Sequence, residues 1–222
     1  MKHKFSKLLG VFLVLVLLTQ CNKKDDFSSY SGAITGTIKD NNNIVLHGDL
    51  NSNNIIVRLL GEGDKSTTDI RVNGEGEYTN TRMFPKTYKA WLEGPIVTSD
   101  TIVVDLSTGD QVKDFVTVPL IFPKVINCTV VGTSVSVDYS LLENAGNVID
   151  KKEVYCSTVP YPTASTGSRT NVYFTKIVSL PVSAGSILIE ALTPGKYYIR
   201  IGAKAKSSVL LNYSNQFEVT IP

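Results

Sequence analysis

Tyr197-Tyr198-Ile199-Arg200-Ile201-Gly202-Ala203 alternates with the period of a β-strand. Successive side chains on a strand point to opposite faces, so Tyr197, Ile199, Ile201 and Ala203 share one side and Tyr198 and Arg200 the other. The first set reads as a core face and the second as an outward face. The same alternation recurs in Ile55, Val57 and Leu59, in Ile102, Val104 and Leu106, and in Val135, Val137, Tyr139 and Leu141. These runs are short and are punctuated by Gly, Asn, Asp and Pro, which supply turn geometry. Beyond the N-terminal apolar run no segment keeps apolar residues at helical spacing for more than about ten positions. The expected fold class is all-β, made of tandem β-sandwiches.

Pro119 and Pro123 mark an internal boundary. Proline has no N–H to give a sheet, so the pair ends one set of strands and stiffens the passage to the next. At the other end, Leu8 to Leu18 form an apolar run preceded by Lys2, Lys4 and Lys7 and followed by Cys21. A basic start and a short apolar stretch are the parts of a secretory signal. The run is well short of the roughly 20 residues that span a bilayer as a helix. With a cysteine at its end, the expected outcome is lipid attachment at Cys21 and loss of residues 1–20. The expected organisation is a lipoprotein signal peptide at 1–20, a lipidated polar tether at 21–31, one sandwich at 32–120 and another at 121–222. Removing the three leader lysines from 22 basic side chains leaves 19 against 20 acidic ones, a formal charge of −1. No basic tract remains, so nucleic acid is not an expected partner.

Several motifs resemble known families. Lys24-Asp25-Asp26, directly after Cys21, resembles the export signal of Bacteroidota surface lipoproteins, which implies an outer-membrane lipid anchor and a position facing the cell exterior. Gly36-Thr-Ile-Lys-Asp40, Asn54-Ile-Ile-Val-Arg-Leu-Leu60, Thr68 to Tyr78 and Met83-Phe-Pro-Lys-Thr-Tyr-Lys-Ala90 follow one another as in the carboxypeptidase-regulatory-like domain. That resemblance implies a transthyretin-like sandwich, an accessory without catalytic residues. Ala191-Leu-Thr-Pro-Gly-Lys-Tyr-Tyr-Ile-Arg-Ile-Gly-Ala203 resembles the corresponding stretch of fibronectin type III and other immunoglobulin-like sandwiches. The whole order is similar to the lipoproteins of domain-of-unknown-function family 3823. This implies an accessory of polysaccharide capture, with a starch-utilisation-type transporter and its glycan-binding lipoprotein as partners.

The inventory for catalysis is thin. His47 is the one histidine left after cleavage, whereas a triad needs a nucleophile beside its histidine and a zinc site several N/S ligands. It reads as a solvated loop residue. Asn73-Gly-Glu-Gly-Glu77 has oxygen ligands but also the residues of a tight hairpin, and the turn is the expected reading. No enzyme activity, metal or cofactor is expected. Cys128 and Cys156 lie in runs that read as neighbouring strands. They admit a disulfide, permitted beyond the inner membrane, or two buried free thiols. Glycan recognition needs aromatic faces beside polar groups. The candidates are Tyr161, set between two prolines in a polar loop, Trp91, and Tyr198 and Arg200 on their outward face with Tyr213 nearby. Two functions fit: a glycan-binding or glycan-presenting accessory, and a structural adaptor docking onto an outer-membrane transporter.

Overall fold

The computed structural model describes residues 29–164 and 175–222. The expected signal, Cys21 and Lys24-Asp25-Asp26 lie outside the described residues. The first eight strands are β1 (Gly32–Lys39), β2 (Ile56–Gly61), β3 (Thr68–Arg71), β4 (Glu77–Met83), β5 (Thr87–Glu93), β6 (Ile102–Asp105), β7 (Gln111–Val112) and β8 (Phe115–Val116). They form two sheets, β4-β1-β7 with β8 also on β1, and β3-β2-β5-β6. Ile34 and Ile38 of β1 meet Val57 and Leu59 of β2 and Tyr88, Ala90 and Leu92 of β5 in one buried core.

The remaining strands are β9 (Ile121–Val131), β10 (Ser134–Glu143), β11 (Ile149–Ser157), β12 (Thr175–Ser179), β13 (Ala184–Ile189), β14 (Gly195–Ala205), β15 (Asn212–Tyr213) and β16 (Phe217–Ile221). Here the sheets are β13-β10-β9 and β12-β11-β14-β15, with β16 also paired to β14. Val135, Val137 and Tyr139 of β10 pack with Tyr197, Ile199, Ile201 and Ala203 of β14 in a second core. The protein is all-β, and the alternating apolar sets are the residues that fill its cores. Cys128 on β9 and Cys156 on β11 belong to different sheets, not to neighbouring strands, and both thiols are free. Burial is the main cause that raises each thiol to about 12, so neither is a ready nucleophile.

One local device occurs in both sandwiches. Met83-Phe84-Pro85-Lys86-Thr87-Tyr88 and Leu192-Thr193-Pro194-Gly195-Lys196-Tyr197 share an apolar residue, a proline two positions on and a tyrosine three beyond that. Met83 and Leu192 are buried. The Tyr88 hydroxyl donates to the Phe84 carbonyl at 3.1 Å, and the Tyr197 hydroxyl donates to the Thr193 carbonyl at 3.0 Å. In each case proline has no N–H to give a ladder, and the carbonyl of the residue before it is satisfied by a ring fixed in the following strand. Lys86 replaces the glycine of the second copy without loss of the bond. A Tyr88→Phe or Tyr197→Phe substitution should each lower unfolding stability by about 1 kcal/mol, measured as a shift of the urea midpoint with an unchanged slope.

Candidate functional site

Among the expected binding residues, Arg200, Tyr213 and Tyr161 converge. Arg200 and Tyr213 are nevertheless buried, and this corrects the expectation of an outward face. The face of β14 opposite the core carries Arg200 and Gly202, flanked by Tyr155 on β11 and Tyr213 on β15. That face is covered by the first sandwich: Arg200 Nη2 donates to the Gly48 carbonyl at 3.1 Å, His47 bridges to Tyr213, and Asn54 Nδ2 donates to the Leu211 carbonyl at 3.0 Å. Only a hydrogen fits at Gly202, because a Cβ would crowd both the Tyr155 and Tyr213 rings. A polar residue in an alternating strand need not face water when a second layer lies over it.

The guanidinium sits among aromatic rings, 4.6 Å from the Tyr213 centroid and 5.9 Å from that of Tyr161, within cation–π range. Its Nε donates to the Ser214 carbonyl at 2.9 Å, while Nη1 has no hydrogen-bond partner among the described residues. Burial draws the Arg200 pKa down to about 10, opposed by Tyr213, Asp49 and Tyr161, so it remains a cation at neutral pH. Tyr161 takes a positive φ of 52° between its prolines. Its ring covers Gly74, where a Cβ would overlap it, and its hydroxyl donates to Glu75 at 2.6 Å. The half-buried ring therefore closes the seam between the sandwiches and is not a free platform.

His47 is part of the same seam and not a solvated loop residue. Its Nδ1 lies 2.9 Å from the Gly74 carbonyl. Burial, then the Arg200 charge, lowers its pKa to about 4, against the Gly74 hydrogen bond that raises it. An adjoining cavity of about 260 Å3 is lined by Leu46, His47, Ile55, Ile121, Phe122 and Tyr213, among others from both sandwiches. The Asn73–Glu77 oxygens serve the hairpin: Asn73 Oδ1 accepts from the Glu75 and Glu77 amides. No cluster of metal-ligating side chains occurs among the described residues.

Trp91 lies elsewhere, on the outer face of sheet β3-β2-β5-β6, between buried Ala90 and Leu92. It is half-buried, and Arg58 of β2 stands directly opposite it. Arg58 pairs with Glu93 at 3.2 Å and Asp69 at 3.5 Å, and the Trp91 indole N–H donates to Glu93 at 3.2 Å. The same face continues through Leu60, Lys89 and Val103 into a depression of about 540 Å3. An aromatic ring, a guanidinium and a carboxylate thus share one open sheet face. Sequence reasoning named Trp91 but missed Arg58 and Glu93. The available signal was parity, since Arg58 interrupts the buried set Val57 and Leu59 and Glu93 lies two residues from Trp91. Tyr198 is half-buried on β14, apart from Trp91, with Lys196 Nζ 6.0 Å from its ring.

The arrangement of sheets has counterparts among solved structures. Proteins from Bacteroides ovatus and Parabacteroides merdae, both of the DUF3823 family, superpose with a TM-score of 0.70, at 18% and 15% identity. Each match covers 86% of this chain and 100% of the other. The chain has the DUF3823 fold. A Bacteroides uniformis protein provisionally designated a carbohydrate-binding protein matches at 20% identity and a TM-score of 0.68, over 86% of this chain and 99% of that one. No family profile and no curated protein matches the sequence.

In this version of the DUF3823 fold the seam is the pH-sensitive element. His47 binds a proton in the unfolded chain below its ordinary 6.5 but resists it in the fold until about 4. Stability is therefore complete above pH 6.5 and falls between pH 6.5 and 4, by up to about 3 kcal/mol. Chemical denaturation across this window should show that slope, and His47→Asn should flatten it. Asp105, Asp114 and Asp150, whose carboxyls are held below their usual range mainly by hydrogen bonds from Ser107, Lys39 and Lys204, respond at lower pH.

Proposed function

We propose that the protein is a noncatalytic, lipid-anchored module of the outer cell surface that binds a glycan on the sheet face around Trp91. The observation that carries this reading is the Trp91–Glu93–Arg58 arrangement on an exposed strand face. An indole offers an apolar surface for the C–H side of a sugar ring, and the adjoining carboxylate and guanidinium bond its hydroxyls. The depression past Lys89 gives length for an oligosaccharide beyond one residue. The shared fold with the Bacteroides uniformis protein supports a carbohydrate ligand, and the fold together with the corner motifs supports membership of the DUF3823 family. The employment of His47 in the seam supports a noncatalytic role. In this reading Cys21 carries the lipid, Lys24-Asp25-Asp26 directs the protein to the exterior, and a transporter of the polysaccharide-uptake type receives the captured glycan.

Trp91 is the single tryptophan of the chain, so selectively excited tryptophan fluorescence reports on this face. Titration with soluble laminarin, xylan, pullulan, arabinan or pectin should give a saturable change with at least one of them. Affinity electrophoresis should show retardation that Trp91→Ala weakens while the circular dichroism spectrum stays the same. Absence of both signals across the panel would overturn the glycan reading.

The anchor has its own test. Mass spectrometry of protein extracted from membranes should find a mature chain beginning at an acylated Cys21, and Cys21→Ser should release the protein from the membrane fraction. An N-terminus elsewhere, without lipid, would refute the anchored reading.

A further inference from the structure

The opposite sheet of the first sandwich has a second open face. There Thr35 of β1 lies beside Thr79 of β4 and Val112 of β7, and Thr37 lies beside Glu77. Leu50, Arg71 and Asn73 wall this face into a groove of about 560 Å3. On the other side of β1, Gly36 lets the Lys113 backbone and the Tyr78 ring pack close, since a Cβ there would overlap the Lys113 carbonyl and crowd that ring.

The groove is lined by polar groups with little internal employment. The hydroxyls of Thr35, Thr37 and Thr79 make no side-chain hydrogen bond among the described residues. Arg71 makes one long bond, from Nη1 to the Leu50 carbonyl at 3.4 Å. The Glu77 carboxylate receives one equally long bond from Asn73. Asp114, by contrast, is occupied by the Lys39 ammonium at 2.6 Å and the Thr37 amide at 2.9 Å. Val112 and Leu50, 76% and 48% exposed, supply apolar surface at the walls.

This chemistry narrows the ligand. The floor strand β1 is paired with β4 on one side and with β7 and β8 on the other, so a peptide finds no free backbone ladder to extend. Glu77 and Asp114 oppose a polyanion, and Arg71 balances Glu77, which suits an uncharged partner. A row of hydroxyls with one donor group, one acceptor group and apolar walls matches a ligand that carries hydroxyls along its length and C–H surface between them. We propose that the groove is a second carbohydrate site, taking an uncharged oligosaccharide on the face of the sandwich opposite Trp91. The proposal rests on the glycan-binding reading given above.

The test uses the mature chain carrying Trp91→Ala, isotopically labelled and titrated with oligosaccharides from laminarin, xylan and pullulan. Amide shifts confined to Thr35, Thr37, Thr79 and Val112 are expected. They should weaken at least tenfold when Thr35→Val and Thr79→Val are added, changes that suit a strand, and likewise with Arg71→Gln, which leaves the sheet untouched. If the wild-type chain binds a sugar and Trp91→Ala removes every shift, the groove is overturned and the Trp91 site stands. If the wild-type chain binds none of the three, the groove is overturned, while the Trp91 reading is decided by the wider polysaccharide panel.

Discussion

A guanidinium removed from water has to be satisfied by whatever the fold places beside it, and at Arg200 those partners come from both sandwiches. The Ser214 carbonyl belongs to the strand system of the second, the Gly48 carbonyl to a loop of the first, and the rings of Tyr213 and Tyr161 flank the cation. Burying a charge costs several kcal/mol unless its partners are in place. The two sandwiches are therefore tied in one relative arrangement, because separating them would take the Gly48 carbonyl away and leave the cation short of a partner. The neighbouring bonds act in the same sense. Asn212 donates to the Pro95 carbonyl at 2.9 Å and accepts from the Ile121 amide at 3.1 Å, so its side chain joins three segments. Ser31–Pro222 accordingly forms a single compact unit.

That constraint also sorts the sheet faces. The outer face of β14 around Arg200 is consumed by the seam, which removes Arg200, Tyr213 and most of Tyr161 from ligand binding. The first sandwich keeps both outer faces open, one with Trp91 beside Arg58 and Glu93, the other with the threonine row. The two binding faces proposed above are those of the first sandwich that the seam leaves open. His47 belongs to the seam in the same way. Its neutral ring lies in the field of a fixed cation, which makes acid the condition that loosens the contact.

The cores were readable from the sequence because their signal is local. Val135, Val137 and Tyr139 declare a buried face by spacing alone, and so do Tyr197, Ile199 and Ile201. The proline-tyrosine corners are equally local, since every participating atom lies within a few residues. Trp91 could be placed by parity against Ala90 and Leu92, but its partner Arg58 could not, because register between β2 and β5 joins residues more than thirty positions apart. The threonine row escaped entirely. Thr35 and Thr79 are unremarkable as residues, and become a surface only when β1 and β4 pair.

By itself the sequence determined the class of fold, the residues of each core and the turn chemistry between strands, since these follow from side-chain period and from the backbone preferences of proline, glycine and asparagine. Only the tertiary structure decided which polar faces meet water. Alternation states that Arg200 points away from its own core, but not whether another layer waits there. The difference is physical: burial within one sheet pair is a property of neighbours in sequence and ladder, whereas burial between two sandwiches depends on loops such as Val45–Asn54 that carry no periodic signal at all.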